Sequence, residues 1–350
     1  MELQQLHREE NDIVAGFAES RIGGRPENQD SYGAMYTNRG FLVTVCDGMG
    51  GGPGGKTASS IAVNEILAGI CEAAADETVT NVIIKAVRRA NMAIITAGNE
   101  NPELKGMGST ATVLLISKES AHVAHVGDSR VYQFRGKRKI FRTYDHSMVF
   151  DLVKQKVITE EQARLSAQSN VITRALGMKP DVEVEVHELP YRKGDRFVLC
   201  SDGIHGTMPE PEFIKMATMS GSIGTITDNI ATTVDNMGHT NGGGHDNLTI
   251  AIVETNSNSK LKAKMTKKAK ITILVLAIIC LISIVLNIVQ CSNRSDPRPV
   301  PETEQKAKPD VPKGGMVSAP EQNGKIQNQQ GKFSSQDQPE NGQQSQSPQK

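Results

Sequence analysis

Hydrophobic residues in the first 255 positions form short apolar runs separated by longer stretches with helical periodicity. The runs, several of them alternating with polar positions, predict strands at 13–17, 41–45, 110–117, 120–126, 182–189, 196–200 and 248–254. Two long helices are predicted between the second and third runs. In the second of these helices, apolar residues recur on one face from Val79 to Ile94, which predicts a buried stripe.

Further helices are predicted on either side of the later strands. Thr159 and Gln162 fit a capping box within a helical pair between Ser147 and Leu165, and two more helices are expected near 210–219 and 222–237. The order of strands, helices, strands, helices and a final strand favours an α+β fold, with antiparallel sheets and helices packed outside them, over a βαβ repeat.

A different pattern begins after residue 255. Residues 271–289 carry no charge, and 19 residues of helix extend about 28 Å at ~1.5 Å per residue, close to the ~30 Å of a bilayer core. This predicts one transmembrane helix rather than a buried core helix. Residues 292–350 hold 8 of the 15 prolines and 11 Gln with almost no aliphatic residues, which predicts a disordered tail.

The formal net charge of zero hides three different regions. Residues 1–255 have an excess of seven acidic side chains, residues 256–270 carry six Lys and no acid, and residues 271–350 are nearly neutral. No basic excess lies in the globular part, so no nucleic-acid partner is expected. The lysine-rich linker beside the apolar span places the globular domain in the cytoplasm and the tail on the opposite side, by the positive-inside rule.

The five cysteines form no CxxC pair, and the first residues have neither the basic nor the apolar region of a secretory signal. Both features favour a reducing compartment for the globular domain.

Single aspartates stand where apolar strands begin or end, each beside Gly or Asn. They are Asp47, Asp128, Asp202 and Asp246, with Asp30 upstream in RPENQD. One such residue is usually a turn former. Several hard oxygen ligands from separate strands instead favour a site for Mg²⁺ or Mn²⁺. The sequence offers no HExxH motif, Cys/His quartet or Ser-His-Asp arrangement for zinc or acyl-transfer chemistry.

A competing motif overlaps one of these aspartates. Gly50, Gly55, Lys56 and Thr57 match G-x-x-x-x-G-K-[ST] between a predicted strand and a predicted helix, as in a P-loop that binds nucleotide phosphates. However, Asp47, Gly48 and Met49 intervene between strand and loop, and this hypothesis leaves the other aspartates unexplained.

The motifs taken together resemble the bacterial type of the PPM, or PP2C-type, metal-dependent Ser/Thr protein phosphatases. The resemblance covers roughly residues 10–255 and rests on RPENQDS, VCDGMGG with GxxAS, GSTA, VGDSRVY, DHS, TRALG, SDGI and HDNLT in the family's order. It implies a four-layer α/β/β/α sandwich with two metal ions in a cleft, a bridging hydroxide that attacks phosphorus directly, and phosphoserine and phosphothreonine proteins as substrates. An opposing Ser/Thr kinase is implied as a further partner.

The resemblance also assigns roles to individual residues. Asp47 would bridge two Mn²⁺ or Mg²⁺ ions, Asp202 and Asp246 would bind the first ion, and the Gly48 carbonyl would bind the second. Asp30 would act through metal-bound water, and Asp128 with Asp202 would hold a third ion. Arg25 would bind the substrate phosphate.

Two departures from the family pattern leave alternatives open. Met49 stands where many eukaryotic members have a proposed general-acid His, so another group must protonate the leaving group. Gln29 replaces a frequent Glu, which leaves open a non-catalytic sensor that keeps the fold and reads phosphoproteins at the membrane.

Overall fold

The computed structural model describes residues 4–7, 14–261 and 267–292. The chain divides into two units, residues 1–273 and 274–350. The strands of the described residues all lie in the first unit. They are β1 Gln4–His7, β2 Val14–Arg21, β3 Asp30–Thr37, β4 Gly40–Met49, β5 Gly108–Ser109, β6 Ala111–Ile116, β7 Ala121–Val126, β8 Arg130–Arg135, β9 Arg138–Arg142, β10 Glu185–Leu189, β11 Asp195–Cys200 and β12 Leu248–Thr255.

Helices separate groups of these strands. They are α1 Gly52–Cys71, α2 Val79–Glu100, α3 Met148–Lys154, α4 Glu160–Arg164, α5 Asp202–Thr207, α6 Glu210–Ala217, α7 Ile223–Thr240 and α8 Lys267–Ser292, with a short 3-10 helix at Pro102–Leu104. The predicted capping box of α4 is confirmed, since Thr159 and Gln162 make both reciprocal hydrogen bonds. The predicted apolar stripe of α2 is buried from Val82 to Ile94.

The strands form two antiparallel sheets, which confirms the predicted sheet type. One sheet has the order β1-β2-β12-β11-β8-β9 and the other β10-β7-β6-β4-β3, with β5 paired to β4. The sequence pattern did not predict β1, β3, β5, β8 or β9. Strand β8 begins and ends with arginines, and these pair with Asp145 and Asp195.

Three hydrophobic cores hold the sheets and helices together. One core joins α1 and α2 to β4 and β6, with Ile66, Ile83 and Leu115 among its buried side chains. Another combines residues of both sheets, such as Val43 and Phe197. The third joins β8, β11 and β12 to α5, α6 and α7. Helices therefore pack on both sheets. The two sheets also share an apolar core between them.

Hydrogen bonding of the first unit continues beyond β12. The backbone N–H of Ser259 donates to the Tyr191 carbonyl over 3.0 Å, and that of Leu261 donates to the Glu119 carbonyl over 2.8 Å. The predicted domain boundary at residue 255 coincides with the end of β12, so a truncated protein that keeps these contacts must extend to residue 261.

Helix α8 contains the predicted span. Ile271–Gln290 is 20 residues long and apolar enough to cross a membrane, with a mean hydropathy of 3.0 in an 18-residue window. Part of the lysine-rich linker, residues 262–266, and the predicted disordered tail from residue 293 onward lie outside the described residues.

Candidate metal centre

Two of the predicted aspartates face each other across a strand pair. Asp30 begins β3 and is directly paired with Asp47 in the register between β3 and β4. Strand β4 continues past the apolar run to Met49, because Gly48 and Met49 pair with β5. Asp47 therefore lies within β4, whereas the sequence pattern had placed it after the end of that strand.

The other three aspartates come from the ends of neighbouring elements. Asp128 lies in the turn between β7 and β8, Asp202 begins α5 directly after β11, and Asp246 precedes β12. Asp128 and Asp202 line one cavity of about 70 Å³. The five predicted carboxylates thus meet where the two sheets end on the same side of the molecule.

The carboxylates strongly affect one another's pKa values. Burial, with the charges of Asp202 and Asp246, raises the pKa of Asp30 to about 7. Burial and neighbouring carboxylates raise the pKa of Asp202 to about 6 and those of Asp47 and Asp128 well above their usual range. Such a cluster of like charges is unfavourable unless protons or cations neutralise it.

Unpartnered oxygens show that the cluster fits a cation. Among the described residues, Asp30 Oδ1 and Asp202 Oδ1 are buried and accept no hydrogen bond. Burying a carboxylate oxygen without a hydrogen-bond donor raises the free energy of the folded state. Oxygen-only donors of this kind suit Mg²⁺ or Mn²⁺ better than zinc, which prefers nitrogen and sulfur. The residues present therefore fit the divalent ions that the sequence implied.

Gly48 allows the chain to approach closely at the centre of the site. A Cβ added there would overlap the carbonyl oxygen of Gly55 in α1 and would lie 2.8 Å from the Gln29 carbonyl oxygen. A side chain at position 48 would collide with the first turns of α1. Only glycine therefore allows β4 and α1 to approach this closely next to Asp47.

Asn247 was not predicted, although it clamps the loop that carries Arg25. Its Nδ2 donates to the carbonyls of Ile22 and Glu27 over 2.7 and 2.8 Å, and its Oδ1 accepts from the Gln29 N–H over 2.8 Å. The Arg25 guanidinium donates to Asp246 Oδ2 over 2.7 Å and is half exposed. One buried amide thus fixes the loop that places Arg25 beside the aspartates.

Ser201 is a second residue that sequence reasoning missed. Its Oγ donates to Asp30 Oδ2 over 2.7 Å and accepts from the Thr249 N–H over 2.9 Å. The signal was its place before Asp202 in SDGI, but only the structure shows that it orients Asp30 from another sheet.

The two histidines of the DHS and HDNLT motifs make hydrogen bonds beside the aspartates. The Gly127 N–H donates to His146 Nδ1 over 3.2 Å, and His245 Nε2 pairs with Asp235 Oδ1 over 2.9 Å. Burial lowers the pKa of His146 to about 4. Arg174, expected to support the segment after DHS, contacts His146 and Glu183.

The predicted P-loop does not form. Helix α1 begins at Gly52, so six of the eight motif residues are helical and no open loop remains to surround a phosphate. Lys56 Nζ donates to the Asp30 carbonyl over 2.7 Å and to Ser31 Oγ over 3.1 Å. The lysine therefore ties α1 to β3.

Comparisons with known proteins identify the family of this chain. Residues 19–233 match the family model described as protein phosphatase 2C. The chain is 31% identical over 251 residues to the serine/threonine phosphatase stp of Listeria welshimeri, which covers 70% of this chain and 97% of that protein.

Solved structures show the same fold. The serine/threonine phosphatase Stp1 of Staphylococcus aureus is 27% identical with a TM-score of 0.62, covering 71% of this chain and 97% of that one. The catalytic domain of PstP in complex with two manganese ions is 29% identical with a TM-score of 0.58, covering 69% and 98%. The chain therefore belongs to the protein phosphatase 2C family of metal-dependent protein phosphatases.

Proposed function

We propose that this protein hydrolyses phosphoserine and phosphothreonine in other proteins, with Mn²⁺ or Mg²⁺ bound by the aspartates at the sheet ends. The convergence of five carboxylates, two of them with unpartnered buried oxygens, is the observation that carries the proposal. The bacterial Ser/Thr phosphatases to which the chain is similar support the substrate class.

Each site residue has a role in this proposal. Asp47, Asp202 and Asp246 bind the first ion, and Asp47 with the Gly48 carbonyl binds the second. Asp30, oriented by Ser201, holds a water of the metal shell, and Asp128 with Asp202 serves a third ion. The clamp made by Asn247 supports this arrangement because it fixes Arg25 and Asp246 on neighbouring loops.

The metal ions, Arg25 and Met49 each affect how the reaction proceeds. Bound divalent ions supply positive charge to the phosphate oxygens and make water acidic enough to act as a nucleophile. Arg25 is exposed enough to leave Asp246 and bind two phosphate oxygens through its planar guanidinium. Met49 carries no proton to donate, so water or another residue must protonate the leaving alkoxide.

Hydrolysis by the full chain in detergent tests the proposal. We expect release of phosphate from a phosphothreonine peptide with Mn²⁺ or Mg²⁺, loss of activity with a chelator, and recovery when metal is restored. Activity that survives complete chelation would contradict the proposal. Metal binding without turnover on any phosphopeptide would instead support the non-catalytic sensor, for which Gln29 is the motivating departure.

Replacing Arg25 by Ala should raise KM for the phosphopeptide by roughly 10-fold or more, since a hydrogen bond between charged groups contributes about 1.5–3 kcal/mol. Arg25→Lys should recover only part of this loss, because an ammonium cannot make the paired contact. Arg88→Ala is the matched control, since Arg88 is equally exposed and pairs with Asp181 away from the site. An unchanged KM in Arg25→Ala would exclude Arg25 from phosphate binding.

The finer architecture belongs to the same proposal. The three cores support a four-layer α/β/β/α sandwich spanning residues 10–255. The reaction reverses phosphorylation, so an opposing Ser/Thr kinase is its natural counterpart. We assign no nucleic-acid partner.

The C-terminal region anchors this phosphatase in a membrane, we propose, as a single-pass protein. The apolar helix Ile271–Gln290 supports the span at 271–289, and the six lysines of the 256–270 linker support a cytoplasmic catalytic domain. The disordered tail 292–350 would then lie on the opposite side.

Protease treatment of sealed membrane vesicles of known orientation checks this topology. We expect protease on the cytoplasmic face to degrade the catalytic domain and to leave a protected fragment that contains the tail. Cleavage of the tail from the cytoplasmic face would contradict the orientation, and recovery of the full chain in the soluble fraction would contradict the anchor.

A further inference from the structure

A second group of metal-ligand side chains lies at the end of α7, apart from the aspartate centre. Asp235 and His239 are one helical turn apart on α7, and His245 follows three glycines. One ligand atom from each residue lies within 4.8 Å of the other two. We propose that Asp235, His239 and His245 form a binding site for one transition-metal ion of the zinc type.

The distances between these atoms suit a tetrahedral ion. His245 Nε2 and His239 Nε2 lie 2.9 and 3.7 Å from Asp235 Oδ1. Ligand atoms bonded to zinc at ~2.0–2.1 Å are separated by about 3.4 Å in a tetrahedron. The two imidazole rings are nearly perpendicular, at 80° with centroids 4.9 Å apart. The two distances to Asp235 Oδ1 lie on either side of the tetrahedral separation.

The Asp235 carboxylate is already oriented for this role. Its Oδ2 faces Arg21 Nη1 over 3.6 Å, so Oδ1 points to the imidazoles. Arg21 also donates to Glu19 and Asp228 over 2.6 and 3.1 Å, and these carboxylates balance its charge. Hydrogen-bonded groups behind a ligand that fix its direction are typical of protein metal sites.

The two histidines differ in exposure in a way that suits metal entry. The His245 side chain is 7% exposed and packs on Gly238, where an added Cβ would overlap the ring. Its Nδ1 is buried and has no hydrogen-bond partner among the described residues, so this nitrogen can carry the proton when a metal takes Nε2. The His239 side chain is 62% exposed, which leaves a path for the ion and a position for water as fourth ligand.

The ligand chemistry separates this site from the aspartate centre. Two imidazole nitrogens and one carboxylate favour Zn²⁺, Co²⁺ or Ni²⁺, whereas carboxylate and carbonyl oxygens alone favour Mg²⁺ and Mn²⁺. The two sites can therefore hold different metals in the same molecule.

A comparable cluster of His125, His146 and Glu185 does not have these properties. The Gly127 N–H donates to His146 Nδ1, which places the proton of the neutral ring on Nε2. The Arg174 guanidinium also lies 3.3 Å from that Nε2 and opposes a second cation. In the α7 cluster the nearby cation, Arg21, contacts Asp235 Oδ2 rather than an imidazole nitrogen, and no described N–H group holds His245 Nδ1, so the proton of that ring can move to Nδ1.

Cobalt binding to the untagged full chain in detergent, with Mn²⁺ present in excess, tests the site. We expect one equivalent of Co²⁺ to give the strong visible absorption that distinguishes four- or five-coordinate from six-coordinate cobalt, and Zn²⁺ to remove it. His239→Ala should weaken Co²⁺ binding by roughly 10-fold or more. His187→Ala is the matched control, because His187 is also partly exposed and pairs with Glu185 over 2.7 Å.

His239 lies on the surface, so the metal-free melting temperature should be the same in His239→Ala and the parent. The absence of the absorption band in the parent, or equal Co²⁺ affinity in His239→Ala, would overturn the proposal and leave only a hydrogen bond between Asp235 and His245. Neither measurement depends on phosphatase activity.

Discussion

Replacing Asp47 by Asn is expected to lower kcat/KM for a phosphopeptide by more than about 100-fold. Changes to groups that merely support metal ligands already cost 10- to 100-fold, and Asp47 is the proposed bridge between two ions. Its strand pairing with Asp30 keeps the backbone in place, so the loss should come from metal binding and catalysis rather than from misfolding.

The same substitution should stabilise the metal-free protein. Burial and the charges of Asp30 and Asp202 raise the pKa of Asp47, which means that its ionised form is unfavourable in the folded state. A neutral Asn of the same shape removes this repulsion and should raise the metal-free melting temperature by about 2–4 °C for each kcal/mol recovered.

The activity and melting-temperature measurements need a control variant that loses a carboxylate elsewhere in the protein. Asp181→Asn removes a carboxylate that is 93% exposed and should change neither activity nor melting temperature. Activity of Asp47→Asn within about 10-fold of the parent would exclude Asp47 from the metal centre. A lower metal-free melting temperature would show that the carboxylate stabilises the fold.

The second large effect is a loss of metal-free stability as pH rises from 6.5 to 8. Burial and neighbouring carboxylates raise the pKa of Asp30 to about 7, from about 3.9 in an unfolded chain. The folded state therefore holds more protons than the unfolded state below this value, and stability falls as pH rises through it. Asp30 alone should contribute roughly 0.8 kcal/mol over this range, because only the upper part of its titration lies above pH 6.5.

The pH window is set by the buried histidines. Burial lowers the pKa of His205 to about 3 and that of His146 to about 4, so these rings add stability as pH rises toward 6.5. At pH 6.5 each ring is still about half protonated in the unfolded chain, so each adds about 0.4 kcal/mol of stability between pH 6.5 and 8. The net fall in stability therefore comes from Asp30 together with Asp47 and Asp128, whose pKa values are also raised.

Urea unfolding at pH 6.5 and 8, with a chelator and with saturating Mn²⁺, measures this effect. We expect the midpoint to fall with pH only in the chelated protein, since metal ions neutralise the carboxylates and stabilise the folded state by mass action. The slope should be smaller in Asp47→Asn. A chelated protein that becomes more stable between these pH values would show that the aspartates do not share a site.

The long helices and most strands were predicted correctly because their hydrophobic patterns are local properties of the sequence. The apolar stripe of α2 and the capping box at Thr159 depend on neighbours along the chain, and both were confirmed. Strand β8 escaped prediction because its terminal arginines are paired with residues distant in the sequence, such as Asp195 for Arg135, and β9 because it is polar and mostly exposed. The P-loop alternative, which the residues between strand and loop already disfavoured, is excluded by the structure because α1 begins within the motif and Lys56 is held by β3.

The sequence by itself determined the chemistry of this protein. Its ordered Asp-Gly motifs at strand ends indicate both the class of metal ion and the protein family. It also determined the apolar helix of the C-terminal region, since length and hydropathy are local properties. The tertiary structure alone decided how the site is held together. Ser201 reaches Asp30 from another sheet, Asn247 clamps the Arg25 loop from more than 200 residues away, and His245 joins Asp235 through a glycine loop. Such contacts depend on how strands meet in space, and no spacing along the chain records them.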